Sequence, residues 1–178
     1  MSWLFSKAST GPDGGALYAA IVAETRTADW YRAAGVPDTM DGRFALLSTL
    51  LALIDIRLGT GGVAATAVAP RVTERFIADM DVQMREAGFG DPGLGKQVRM
   101  MVGSLASKVE RFQQALEQSA SAGAGETDPK WDAAVTASLY RDAPPSDDAV
   151  AAGSARLRGW WQRLSERDDA ALAEGNIG

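Results

Sequence analysis

A chain of 178 residues with 46% hydrophobic and 23% charged side chains has the size and balance of one globular domain with a single substantial core. Its net charge of −5 argues against a general nucleic-acid binder, DNA included, because such proteins carry a basic excess. It contains no cysteine and no histidine. That excludes disulfides, zinc sites built on thiolate or imidazole, cysteine nucleophiles, imidazole-based triads and histidine-ligated haem.

Alanine is abundant and β-branched runs with period-two alternation are nearly absent, so the expected fold is all-α. The reading in chain order gives a single-domain bundle of six to seven helices around one central buried helix. Residues 1–15 read as a flexible N-terminus, ending in the loop-forming run Thr10-Gly11-Pro12-Asp13-Gly14-Gly15. Its first residues are too short and too little charged for a secretory signal. Trp3, Leu4 and Phe5 beside Lys7 suit a membrane interface, although so short a run buries too little for stable anchoring alone.

A helix is expected over 16–26 and a short helical piece over 28–34, which carries Trp30 and Tyr31 and ends at Gly35 as a left-handed cap. Pro37 fixes its own φ and drives Val36 into extended backbone, so no helix passes through this corner. Asp38 or Thr39 then caps the next helix, with Asp41 in the first turn near the positive dipole end. That helix, 39–58, is apolar nearly all round, which marks the central element. Its longest apolar segment is about half the ~20 residues a membrane span requires.

Glycines at 59, 61 and 62 stop it. The fourth helix begins near 65 or 70 and runs to 87, with Val68, Val72, Phe76, Met80 and Met84 on one stripe. The fifth, 94–120, is the cleanest amphipathic segment: Val98, Met101, Val102, Leu105, Val109, Phe112 and Leu116 oppose the basic residues Lys96, Arg99, Lys108 and Arg111. A Gly/Ser/Ala loop at 119–127 follows. Asp128-Pro129 opens a helix through Trp131, Val135 and Leu139, and Pro144-Pro145 breaks it. The last stripe is Val150, Ser154, Leu157, Trp161 and Leu164, which places Trp161 in the core and turns Trp160 about 100° away, as a candidate interface anchor. The helical domain is thus 16–167, and the tail 168–178 is expected to fray.

The segment Gly90-Asp91-Pro92-Gly93-Leu94-Gly95-Lys96-Gln97 nearly spells a phosphate-binding loop. It has Gln97 where Ser or Thr must hold Mg²⁺, and it follows a helix instead of a strand, so it reads as a helix-to-helix turn. Asp79 and Asp81 lie two apart on a helix and do not face each other, and Asp81 with Arg85 makes an ordinary i,i+4 pair. No nucleophile-plus-base constellation exists, so no enzyme activity and no cofactor are expected. The basic residues of the fifth helix are either a solvated face or a patch for an anionic partner, ribosomal RNA or lipid headgroups.

Two blocks carry a resemblance. Gly35-Val36-Pro37-Asp38-Thr39-Met40-Asp41-Gly42-Arg43-Phe44 comes first; Phe76-Ile77-Ala78-Asp79-Met80-Asp81-Val82-Gln83-Met84-Arg85-Glu86 with Gly88-Phe89-Gly90-Asp91 follows. Together they resemble the ubiquinol–cytochrome c chaperone family, which comprises the mitochondrial assembly factor for cytochrome b and its alphaproteobacterial relatives. The likeness covers residues 17–116, with a weaker echo at 137–141. Leu105-Ala106-Ser107-Lys108 departs from the family's more aromatic pattern, and Leu47-Ser48-Thr49-Leu50 lacks a histidine expected there.

The resemblance implies a non-catalytic, ATP-independent chaperone that binds cytochrome b, nascent or newly inserted, during biogenesis of complex III. With no secretory signal or membrane span read from the sequence, the expected location is cytoplasmic. The resemblance adds a peripheral place at the inner face of the cytoplasmic membrane, with the ribosome exit region and a small co-chaperone as further candidate partners. Candidate contacts are Trp30, Tyr31, Pro37, Asp38, Asp41, Arg43, Asp79, Asp81, Arg85, Lys96 and Arg99. The alternative is a membrane-associated protein that binds a lipid or small molecule. A closed apolar pocket lined by Met80, Met84, Met100 and Met101 would favour that alternative, and an open groove the chaperone.

Overall fold

Residues 35–43 form a fixed corner at the start of the central helix. In the computed structural model Gly35 has φ +62°, the left-handed conformation that ends the preceding turn. Val36 is buried and donates its N–H to the Trp30 carbonyl at 2.9 Å. Thr39 is the residue that caps: its Oγ1 accepts from the Gly42 N–H at 3.1 Å, while Asp38 pairs with Arg43 at 2.7 Å. Gly42 is required by contact, because a Cβ there would collide with the Pro37 carbonyl.

The structure describes residues 13–86, 88, 91–119, 128–140 and 146–177. Among them are eight helices and no strand: α1 (Gly15–Thr25), α2 (Asp29–Arg32), α3 (Met40–Gly59), α4 (Val63–Glu86), α5 (Asp91–Ser119), α6 (Pro129–Leu139), α7 (Asp147–Glu166) and α8 (Asp169–Ala173). Six are long, and α2 and α8 are pieces of four and five residues. Trp3, Leu4, Phe5 and Lys7, the 120–127 stretch, Phe89, Gly90, Arg141 and Pro144-Pro145 lie outside the described residues.

The all-α bundle around one buried helix is what forms. Nearly every residue of α3 from Ala45 to Ile54 is buried, and it packs against α1, α4, α5, α6 and α7. Around it Trp30, Trp131 and Trp160 are fully buried, and each covers about 150–250 Å². Phe112 meets Trp131 edge-on at 5.3 Å. The Tyr140 hydroxyl reaches the carbonyls of Ala34 (2.6 Å) and Ala149 (3.0 Å), tying α6 and α7 to the corner. The fourth helix starts earlier than Pro70, at Val63. Pro70 and Thr66, whose carbonyl loses its helical donor to the proline, are both exposed residues.

Two expectations are corrected. The tail does not fray: Asp168 caps α8 through the Ala171 N–H at 2.7 Å, and Leu172, Ala173 and Ile177 are buried. Arg57, at the end of α3, holds this end in place. It donates to the α7 carbonyl of Leu164 (3.2 Å), to the Arg167 carbonyl (2.6 Å) and to Asp169 (3.0 Å). Asp169 also accepts from the Gly62 N–H at 2.8 Å. That bond chiefly, with Arg57, holds the Asp169 carboxyl below its ordinary value of 3.8.

A depressed carboxylate contributes stability above its unfolded value and loses it as pH falls through the folded one. Residues 169–177 are therefore expected to release below about pH 4, read as a selective rise in hydrogen exchange. Asp169→Asn should show that release already at neutral pH. Unchanged exchange in the variant would remove Asp169 as the clasp.

The second correction concerns α7. Trp160 is fully buried and Trp161 only partly so, the reverse of the expected order. The buried arc runs Gly153, Leu157, Trp160, Leu164. Gly153 lies against the Tyr140 hydroxyl, so the arc closest to α6 contains a residue that a hydrophobicity pattern scores as neutral.

Candidate functional site: an open methionine-lined groove

The α4 and α5 stripes do not fully close on α3. Between them, the corner, the end of α1 and one residue of α6 lies a groove of about 710 Å³. Every methionine of the chain after Met1 lines it: Met40 from the start of α3, Met80 and Met84 from α4, Met100 and Met101 from α5. Met80 and Met84 are one helical turn apart, as the i,i+4 rule requires for a shared face.

Met80 and Met101 are buried at the base, whereas Met40 is 66% and Met100 56% exposed at the rim. The groove therefore opens to solvent along its rim and is not a closed pocket. Unbranched thioether side chains adapt to irregular apolar partners. Phe44 and Phe76 stack at 5.9 Å beneath them, which fixes the α3–α4 wall.

The base also holds a charge that sequence periodicity misplaced. Lys108 was expected on a solvated basic face, yet it is 5% exposed. The three N–H groups of its Nζ are shared among four acceptors, the Ala45 carbonyl (2.8 Å), Ser48 Oγ (2.7 Å), Thr49 Oγ1 (3.2 Å) and the Ser138 carbonyl (3.2 Å). One ammonium thus links α3, α5 and α6 under the groove. The stretches 47–50 and 105–108 meet at this point. Arg111, one turn on, is half-buried, with Nη1 3.4 Å from Ser138 Oγ.

At the rim the Tyr31 hydroxyl donates to the Thr25 carbonyl at 2.6 Å, and the Arg43 guanidinium lies 5.6 Å from its ring centroid. Burial chiefly raises the Tyr31 pKa, opposed by Arg43. Tyr18 donates to Asp79 at 2.7 Å; burial first, then that carboxylate, push the Tyr18 hydroxyl well above its ordinary value.

Of the sequence-predicted contacts, Tyr31, Asp41, Arg43 and Asp79 come together on the groove. Pro37 and Asp38 build the corner beside it. Asp81 and Arg85 pair at 2.9 Å away from the groove, and Lys96 and Arg99 are exposed and also outside it. Trp30 is corrected outright. It has no exposed surface, its Nε1 donates to Glu24 at 3.0 Å, and Arg156 covers its ring at 4.7 Å. Sequence reasoning missed Met40, Gln83, Gln97 and Arg26. Met40 was legible as the one apolar residue in a polar capping turn.

No helix among the described residues is long and apolar enough to cross a membrane. The crystal structure of the Cbp3 homolog from Brucella abortus is similar to this chain, with a TM-score of 0.76 and 28% identity over 93% of this chain and 87% of that one. No individual curated protein matches. The family profile described as ubiquinol–cytochrome C chaperone matches residues 32–177, from the end of α2 through the docked tail, so the chain belongs to the ubiquinol–cytochrome c chaperone family.

Proposed function

We propose that this protein is a complex III assembly chaperone that holds an apolar segment of cytochrome b in the methionine-lined groove, without ATP and without catalysis. Family membership supports the assembly role, and the open groove carries the client reading. An amphipathic or apolar helix laid into a hydrophobic groove is an established recognition mode, and methionine-rich walls suit it. In this scheme the client is nascent or newly inserted. The chaperone then works at the inner face of the cytoplasmic membrane, near the ribosome exit region, with a small co-chaperone as a further candidate partner.

The test uses rim residues that the fold does not need. Met40→Asp and Met100→Asp place charge on exposed positions and should leave the circular dichroism spectrum and Tm unchanged. Capture of newly made cytochrome b from host membranes should fall at least about tenfold, the equivalent of about 1.4 kcal/mol. Undiminished capture by both variants would remove the groove as the client face.

The lipid reading keeps one observation in its favour. The groove volume lies inside the ~300–1,000 Å³ range of small-molecule sites. Retention of lipid and absence of complex III subunits in the same capture would favour it.

A further inference from the structure

We infer that the groove selects an apolar helical segment that carries a carboxylate, and that Arg111, assisted by Arg26, is the group that reads it. The inference rests on the groove being the client site. Four cations line the groove, Arg26, Arg43, Lys108 and Arg111, against two carboxylates, Asp41 and Asp79. The chain as a whole carries −5, so the basic excess is local to this surface.

Most of these charges are already committed. Arg43 is held by Asp38 at 2.7 Å and lies over the Tyr31 ring. Lys108 is engaged by four oxygens of α3 and α6. Asp79 accepts the Tyr18 hydroxyl at 2.7 Å, and Asp41 sits in the first turn of α3, where the helix dipole favours it. Arg26 and Arg111 differ. Neither has a carboxylate partner among the described residues, and the contact of Arg111 is a neutral hydroxyl at 3.4 Å. A half-buried guanidinium beside an apolar wall is best satisfied by a bidentate carboxylate.

The register of α5 gives the spacing. Met100, Ser104, Lys108 and Arg111 follow one another at four, four and three residues, so they share a face. From Met100 to Arg111 that face is about 16 Å long. An occupant lying along it has an apolar body over the methionines and an acidic group about three helical turns away. The exposed methionines at the rim, Met40 and Met100, leave the groove open along its side, and an apolar helix laid into a hydrophobic groove is an established recognition mode.

The test measures fluorescence anisotropy of the full chain with two labelled 18-residue Leu/Ala-rich helical peptides. One carries a single Glu three turns from an apolar face centre, and its twin carries Gln there. The Glu peptide should bind at least tenfold tighter at low salt, and the preference should shrink as salt rises. Arg111→Gln should bring the two peptides within twofold of each other, and Arg26→Gln should reduce the preference in part. Arg111→Lys, which keeps the charge and loses the fork, should restore part of it.

Equal affinity for both peptides overturns the carboxylate selection and leaves the groove as a client site. Failure of both to bind overturns the inference and the helix-in-groove reading together. Oleate that displaces the peptides and loses its own binding in Arg111→Gln overturns it in favour of a lipid ligand.

Discussion

Replacing Gly42 with alanine is expected to destabilise the protein by about 3 kcal/mol, the upper end for overpacking a tight site. In a domain of this size that lowers Tm by about 6–12 °C. The added Cβ would meet the Pro37 carbonyl oxygen, with the Pro37 carbonyl carbon at 2.9 Å and its Cβ at 3.1 Å. Backbone cannot yield cheaply here. The proline ring fixes φ, and the preceding Val36 is buried and hydrogen-bonded to Trp30.

The start of α3 must shift instead, and it carries Met40, Arg43 and Phe44 into the groove wall. Client capture should therefore fall with stability. Gly103→Ala is the control. Nothing lies within 4 Å of its Cβ position in the interior of α5, so alanine should stabilise by up to about 1 kcal/mol through helix propensity. Thermal melts of the two variants read both signs. A Gly42→Ala protein as stable as its parent would refute the close-contact account of the corner.

Lys108→Met is expected to cost about 2 kcal/mol, less than a sum over its bonds suggests. A hydrogen bond to a charged group contributes about 1.5–3 kcal/mol, but burying the ammonium costs several kcal/mol, and methionine removes both terms. What remains is mainly the Ser138 carbonyl near the end of α6, which has no other donor among the described residues and would cost about 1–3 kcal/mol if left unpaired. Ser48 and Thr49 keep their own acceptors, the carbonyls of Phe44 and Ala45, each at 2.7 Å.

Adding Ser48→Ala and Thr49→Val removes hydroxyls that already have acceptors, so the triple variant should recover little of the loss, which stays with the Ser138 carbonyl. Urea unfolding of the single and triple variants separates the terms. A neutral Lys108→Met would show that the ammonium is tolerated under the groove without holding it.

The residues that were legible before the structure are those whose role is set within one or two helical turns. The 35–43 corner follows from Gly35, Pro37 and a hydroxyl cap, and its ambiguity between Asp38 and Thr39 was resolved only by geometry. Asp38 turned out to be held by Arg43. The Met80–Met84 spacing put two groove residues on one face, and the apolar run at 44–54 marked the central helix.

Lys108, Trp160, Trp30 and the tail were misread for a common reason: each is decided by partners far along the chain. Lys108 is placed by Ser48 and Thr49, about sixty residues away, because α3 buries every side of itself and so gives α5 a second covered face. Trp160 lies on the buried arc of α7 that also carries Gly153, against which the Tyr140 hydroxyl packs. Trp30 is sealed by Arg156 from α7.

By itself, then, the sequence determined the all-α class, the corner, the apolar stripe of α4 and the absence of cysteine and histidine chemistry, since periodicity, capping and composition are local properties. Tertiary structure alone decided the open groove, the buried ammonium beneath it and the docked end. Arg57 and Asp169 are 112 residues apart and meet at 3.0 Å, and no pattern along a helix encodes that approach. Such contacts arise only when several amphipathic faces compete for one central helix, and the packing that buries the most apolar surface fixes which polar groups are left to find each other.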